Sequence, residues 1–176
     1  SRGSVREALL ILERRHLIAI LPRRGAHVTE LTAHKVQSLC TLRSELYILL
    51  GNAVAQRWAV QADLGPFLQI QQRLTASLER QDISAFVEDS FNVMRAAYPF
   101  ANNPYLQETV ENLHPAMSRA YYLALEQRKA AMSEFLALFA QLLDAVLARD
   151  LPKIRLVLGS YAQRSCDLVL TALTVA

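Results

Sequence analysis

From Thr32 onward, apolar residues recur at every third or fourth position of the chain. This spacing places apolar side chains on one face of an α-helix. Breaks at 63–66, 98–104 and 150–152 divide the region, and Pro115 should bend or interrupt one of the predicted helices. The pattern predicts six amphipathic helices with short connections, which is typical of an antiparallel bundle. The first of these helices should begin after Thr32 and run to about residue 58 through the following residues: His34, Val36, Leu39, Leu42, Leu46, Leu50 and Val54.

The first thirty residues have a different organisation. Val5, Leu9 and Leu12 mark one face of a short helix, and the apolar run 17–21 predicts a strand. A second strand at 26–28 follows the turn Pro22-Arg23-Arg24-Gly25. A helix beside a basic β-hairpin is the arrangement with which winged-helix proteins read DNA, so this segment predicts DNA binding.

Positive charge is concentrated in this same segment. Residues 1–29 contain six arginines and two glutamates, which gives a balance of +4, whereas the rest of the chain has a balance of −1. A basic surface of this kind favours contact with phosphate. On charge alone, a solubilising surface explains the arginines equally well.

The N-terminal residues also carry a family resemblance. Ser1-Arg2-Gly3-Ser4-Val5-Arg6-Glu7-Ala8-Leu9 and the later Pro22-Arg23-Arg24-Gly25-Ala26-His27-Val28 resemble the end of the DNA-binding domain of GntR-type transcriptional regulators. The resemblance implies that residues 1–31 are the recognition helix and wing of a truncated winged helix-turn-helix domain, whose complete form has further helices upstream. It also implies the following DNA contacts: Ser1, Arg2, Arg6, Arg23, Arg24 and Gly25.

Residues 32–176 resemble the ligand-sensing domain of the FadR subfamily, known as the FCD type. Three segments carry this resemblance in the expected order: Leu42-Arg43-Ser44-Glu45-Leu46, then Phe91-Asn92 with Asn103-Pro104-Tyr105-Leu106, and finally the run 142–150. The implied architecture is mainly α. It is an all-helical effector-binding and dimerisation domain that follows the C-terminal part of a winged helix.

Most domains of this type bind a divalent metal through one aspartate and three histidines. Matched residue by residue, these four positions fall here at Glu88, Asn92, Phe139 and Tyr161. Asparagine is a poor ligand, phenylalanine cannot ligate, and tyrosine rarely holds zinc or nickel. The sequence therefore predicts that the domain uses no metal and no other cofactor.

The same positions, together with Arg43, predict a pocket for a small-molecule effector. Arg43, Glu88, Asn92, Phe139 and Tyr161 combine an apolar wall with a few polar groups, as ligand pockets do. Arg43 is the expected anchor for a carboxylate, because a guanidinium pairs with that group through two hydrogen bonds. Simpler interpretations remain open: Arg43 and Glu88 form an internal ion pair, Asn92 links helices, and the two aromatic rings only fill space.

The sequence contains no grouping that indicates an enzyme, such as a phosphate-binding glycine loop or a nucleophile motif. Cys40 and Cys166 are too few for a disulfide framework, and no run is apolar for the ~18 residues that a membrane span requires. We therefore expect a cytoplasmic homodimer that binds double-stranded operator DNA, contacts no membrane and acts as a repressor that responds to a small organic acid or related metabolite. The alternative is a helical metabolite-binding or dimerisation module without a DNA role.

Overall fold

A computed structural model describes residues 2–175 of the chain and the side chains of residues 3–174. One helix and a two-stranded antiparallel hairpin precede six further helices, so the predicted mainly α architecture is confirmed. The elements are α1 (Arg2–Arg14), β1 (Ile18–Leu21), β2 (Gly25–Val28), α2 (Ala33–Arg57), α3 (Gly65–Arg80), α4 (Ile83–Ala101), α5 (Pro104–Gln127), α6 (Ala131–Leu147) and α7 (Leu151–Val175), with one 3₁₀ turn at Gln61–Leu64. None of the described helices has the length and apolarity needed to cross a membrane.

Polar side chains fix where the bundle helices begin. The Thr32 hydroxyl accepts a hydrogen bond from the Lys35 amide at the start of α2 (3.3 Å). The Asp82 carboxylate accepts one from the Ala85 amide at the start of α4 (3.0 Å). Such caps satisfy amide groups that have no partner within the helix itself.

The connection predicted at 98–104 is shorter than expected. Helix α4 continues through Pro99 to Ala101, which leaves only two residues before α5 begins. The reason lies in Arg57, whose Nη1 donates to the carbonyl oxygens of Phe100 and Ala101 and so stabilises the last turn of α4. Likewise, Pro115 does not interrupt α5, which is one continuous helix.

Helix α7 packs against α2, α5 and α6, while α4 packs against α2, α3 and α5. At one position the inward face of α2 departs from the apolar series. Leu42 is 46% exposed, whereas Arg43 and Tyr47 are buried. The sequence pattern favoured the leucine, since apolar residues usually take the core positions. Cys40 and Cys166 are both free and buried.

Two glycines on packed helices lead to opposite expectations for stability. A Cβ atom added at Gly51 would lie 3.0 Å from Ile154 Cγ2 and from Leu158 Cδ1, both on buried side chains, but one added at Gly159 would meet nothing within 4 Å. Gly159→Ala should raise the free energy of unfolding by about 0.5–1 kcal/mol, because alanine favours the helix. Gly51→Ala gains the same helix propensity but crowds the core, which costs about 1–3 kcal/mol. Urea denaturation should rank Gly51→Ala below Gly159→Ala, and the reverse order would contradict the packing described.

Candidate functional site

Helix α1 and the hairpin form one small unit at the start of the described chain. The Glu13 carboxylate accepts a hydrogen bond from the Ile20 amide (3.0 Å) and so ties the end of α1 to β1. Strand pairing runs from Ile18 opposite Val28 to Leu21 opposite Gly25. The turn between the strands needs left-handed backbone at Arg23 (φ 62°) and at Gly25 (φ 78°). Glycine adopts that conformation readily, which explains its position at the end of the turn.

The side chains predicted to contact DNA are arranged on this unit. Arg6 is exposed on α1, and Arg23, Arg24 and Gly25 are exposed at the tip of the hairpin. Ser1 and the Arg2 side chain lie outside the described residues, so the predicted DNA contacts of these two residues stay predictions. Because Arg6, Arg23 and Arg24 are exposed to solvent, a polyanion can reach all three side chains.

The unit meets the helical bundle through α5. Arg119 Nη1 donates to the Thr29 carbonyl oxygen just after β2 (3.2 Å), and Arg14 at the end of α1 lies 3.9 Å from Glu108. The second contact is exposed on both sides and therefore contributes little to stability. These polar contacts join α1 and the hairpin to α5, which is part of the helical bundle.

Arg43 occupies the interior of that sensor, with only 2% of its surface exposed. Its Nη2 donates to the Ser165 hydroxyl of α7, and its guanidinium lies over the Tyr161 ring (5.1 Å) and near the Tyr47 ring (5.7 Å). Its Nε has no hydrogen-bond partner. Burial lowers the pKa of Arg43, but Tyr161, Tyr47, Cys40 and Tyr121 together raise it by more, so the side chain keeps its charge. Among the described residues, no carboxylate forms an ion pair with this buried cation.

The centre of the bundle is filled by aromatic rings. Tyr161 stacks on Tyr47 (6.4 Å between centroids) and meets Phe135 edge-on (5.3 Å), and Phe135 stacks on Phe139 (6.3 Å). The remaining cavity beside Phe139 and Tyr161 has a volume of about 20 Å³. That volume accommodates about one water molecule, so Phe139 and Tyr161, with Tyr47 and Phe135, fill the centre.

The predicted five-residue pocket does not form, and the ion pair between Arg43 and Glu88 is absent as well. Arg43, Phe139 and Tyr161 lie in the interior, but Glu88 is exposed and Asn92 half-buried on the outer side of α4. Glu88 bonds Arg95 instead (2.7 Å), and Asn92 bonds Asp89 of its own helix (3.2 Å) rather than linking two helices.

The side chains of α4 that share the central cavity with Phe139 and Tyr161 include Ser90 and Met94, which have the same four-residue spacing as Glu88 and Asn92 two positions further on. A step of two residues moves a helical side chain by more than half a turn, so the two pairs lie on different faces of α4.

The side chains that line the central cavity show whether a divalent metal, as the family resemblance implies, would fit there. Ser90, Met94, Phe139 and Tyr161 supply a hydroxyl, a thioether, a phenyl ring and a phenol, and none is a ligand typical of such sites. In the part of the chain that the structure describes, no three histidine, cysteine, aspartate or glutamate side chains converge. These residues do not fit the metal.

The outer face of α4 carries a polar network that sequence reasoning missed. Arg95 donates to both carboxylate oxygens of Glu111 (2.8 and 3.2 Å), to Glu88, and to Nδ1 of His114 (2.9 Å). The Tyr98 hydroxyl donates to the same Glu111 carboxylate (3.0 Å). Hydrogen bonds from Arg95 are the main reason why the pKa of Glu111 is lowered. The helical spacing of Glu88 to Arg95 and of Glu111 to His114 was the available signal, since each pair lies on one face.

His114 makes this network sensitive to pH. Burial, and next the charge of Arg95, lower the pKa of His114, with a smaller contribution in the same direction from Arg15, while Glu88 and Glu111 oppose the shift. The unfolded chain therefore binds a proton at His114 at a higher pH than the folded chain does. We expect the free energy of unfolding to fall as the pH drops below about 6.5. Urea denaturation at several pH values should show a weaker fall in His114→Gln than in the wild type. Equal pH slopes would contradict this assignment.

An open groove lies between α5, α6 and α7, next to the filled centre. It has a volume of about 500 Å³, against about 20 Å³ for the central cavity. Tyr121, Phe135, Tyr161 and Ser165 lie in its lining. Two of these four, Tyr161 and Ser165, are also direct partners of Arg43, so the buried cation lies immediately behind the groove.

Comparisons with known proteins fit this architecture. The model of the FCD domain family matches residues 39–163. The transcriptional repressor RspR of Escherichia coli K12 and the regulator YdfH of Shigella flexneri are each 28% identical over 129 residues, which is 72% of this chain and 55% of each relative. The chain therefore spans about half the length of these relatives.

Solved structures show the same fold. McbR/YncC of E. coli superposes with a TM-score of 0.81 at 22% identity, covering 94% of this chain and 83% of that one. A transcriptional regulator GntR from Rhodococcus sp. RHA1 gives a TM-score of 0.78 at 17% identity, covering 97% of this chain and 81% of that one. The family model spans most of the helical bundle, so this chain belongs to the FCD domain family.

Proposed function

We propose that the chain is the sensing and DNA-contacting part of a transcriptional repressor that responds to a small organic acid. The observation that carries the sensing function is Arg43, a buried guanidinium whose Nε is unpaired and which forms no ion pair with a described carboxylate. Burying an uncompensated charge is costly, so such a group is well suited to an anionic ligand. A carboxylate can accept two hydrogen bonds from the Arg43 guanidinium in a bidentate pair.

For the DNA-contacting function, the support is the exposed arginine surface of α1 and the hairpin. In this proposal, α1 enters the major groove, where Arg6 reads base edges and Ser1 and Arg2 contribute from the start of the helix. Arg23, Arg24 and the Gly25 backbone approach phosphates at the hairpin tip. Cations placed in this way provide the sequence-independent part of the affinity.

We propose a homodimer as the working form. Two recognition helices about one DNA turn apart match the two halves of a pseudo-palindromic operator. The experiment is a binding titration of the full-length protein against operator DNA selected from a random pool, together with sedimentation of the complex. Two chains per operator are expected. A single chain per operator, or affinity no higher than for random DNA, would contradict this part of the proposal.

No tightly bound transition metal is part of this mechanism. Zinc, nickel or manganese needs several oxygen or nitrogen ligands that converge at about 2 Å. The central positions offer Ser90, Met94, Phe139 and Tyr161 instead. Elemental analysis of protein purified without added metal should therefore find far less than one equivalent. One equivalent that is lost in a Tyr161→Phe variant would show that the centre does bind metal.

A further inference from the structure

We infer that the effector binds in the groove between α5, α6 and α7, and that it is a monocarboxylate with an apolar body. This inference rests on the proposed sensing function and specifies its site. Two cavities in the centre of the bundle have volumes of about 20 Å³ each, and neither holds an organic acid unless the core rearranges. The groove beside them offers about 500 Å³, within the range of small-molecule pockets.

The inner part of the groove is apolar and built by all three helices. α5 contributes Ala124, α6 contributes Phe135 and Leu138, and α7 contributes Leu168 and Ala172, and all five residues are buried. The alanines on α5 and α7 leave the space, while Phe135 and Leu138 on α6 supply an apolar wall. These side chains favour contact with an aryl or branched alkyl group, and the rest of the groove lining is polar and includes Glu134, Arg164 and Asp167.

One end of the groove reaches the buried cation. Ser165 and Tyr161 line the groove and directly contact the Arg43 guanidinium. Ser165 also donates to the Ala162 carbonyl (3.1 Å), so it keeps a partner when Arg43 turns to a ligand. The Arg43 guanidinium lies behind this end, buried, and forms no ion pair with a described carboxylate, so we infer that a ligand carboxylate replaces its contact with Ser165. The apolar body then lies along α7 toward Leu168 and Ala172.

The other end is closed by polar contacts. Arg128 and Glu134 form an ion pair across the connection between α5 and α6. Gln127 Nε2 donates to the Ala172 carbonyl oxygen and so joins α5 to α7 (3.4 Å). These contacts limit the length of a bound ligand, which favours a compact acid over a long fatty acid.

The test uses 4-phenylbutyrate and its neutral amide as probes, with binding measured by isothermal titration calorimetry on the full chain. Thr171 is exposed and lines the groove, so Thr171→Trp places an indole across it without changing the core. Thr174→Trp adds the same ring to exposed α7 surface and is the matched control. Val93→Ile adds one carbon beside the central cavity instead.

We expect the acid to bind and the amide to bind at least about tenfold more weakly, because only the acid pairs with Arg43. Thr171→Trp should weaken acid binding by at least about tenfold, while Thr174→Trp and Val93→Ile leave it within about twofold. Loss of binding in Val93→Ile but not in Thr171→Trp would place the ligand in the centre and overturn the inference. Absence of acid binding at millimolar concentration would overturn it too. If the proposed function itself is wrong, the full-length protein will not bind operator DNA, and this result does not depend on the calorimetry.

Discussion

Arg43→Met should abolish recognition of the organic acid while leaving the protein folded. The substitution removes the charge that faces the ligand carboxylate and keeps an apolar side chain of similar length in the core. Removing one partner of a buried charge pair costs about 2–5 kcal/mol, which corresponds to an affinity loss of about 30-fold or more. Calorimetry with 4-phenylbutyrate measures this loss directly.

The same substitution should not lower the stability of the free protein. In the free protein, Arg43 is a buried cation that forms no ion pair with a described carboxylate, so replacing it removes a desolvation cost. We therefore expect the Tm of Arg43→Met to be equal to or above that of the wild type. Arg43→Lys is the control, because it keeps the charge but loses the two-pronged geometry, and its affinity should be intermediate. Wild-type affinity in Arg43→Met would show that the ligand is anchored elsewhere.

Arg6→Ala and Arg24→Ala should weaken operator binding by the full-length protein in two different ways. If Arg6 reads a base, its loss costs about 1–3 kcal/mol and reduces the preference for operator over random DNA. Arg24 at the hairpin tip faces phosphate, so its loss should weaken binding to every sequence and reduce the salt slope by about one. Fluorescence anisotropy at several salt concentrations separates the two effects.

Arg80→Ala provides the matched control for these variants. Arg80 is exposed in the last turn of α3, so its removal changes the net charge by the same amount away from α1 and the hairpin. Its operator affinity should stay close to that of the wild type. Unchanged affinity in both Arg6→Ala and Arg24→Ala would contradict the assignment of this surface to DNA.

The helices and the hairpin could be predicted because their signals are local. Apolar spacing located all six bundle helices, and Gly25 marked a turn that needs left-handed backbone at that residue. The end of α4 was not predictable in this way. Its continuation through Pro99 depends on Arg57, which is more than forty residues away and donates to the carbonyl oxygens of the last turn.

The candidate site was only partly predictable for a related reason. Arg43 was identified from a short motif, and its burial follows from Ser165 and two tyrosines that come from other parts of the fold. Glu88 and Asn92 were placed by counting from Phe91, but the face of α4 that turns inward depends on how α4 packs against its neighbours. The groove depends on how α5 and α6 pack against α7, so its volume has no local signature in the sequence.

In the proposed regulator, the acid-binding site and the DNA-binding surface are energetically linked. The most direct measurement is the affinity of the full-length protein for 4-phenylbutyrate, determined by calorimetry with and without saturating operator DNA. Because coupling is reciprocal, an acid that releases the operator must bind the operator-bound protein more weakly. We predict a reduction of at least about fivefold. Equal affinity of the free and the operator-bound protein for the acid would contradict the account.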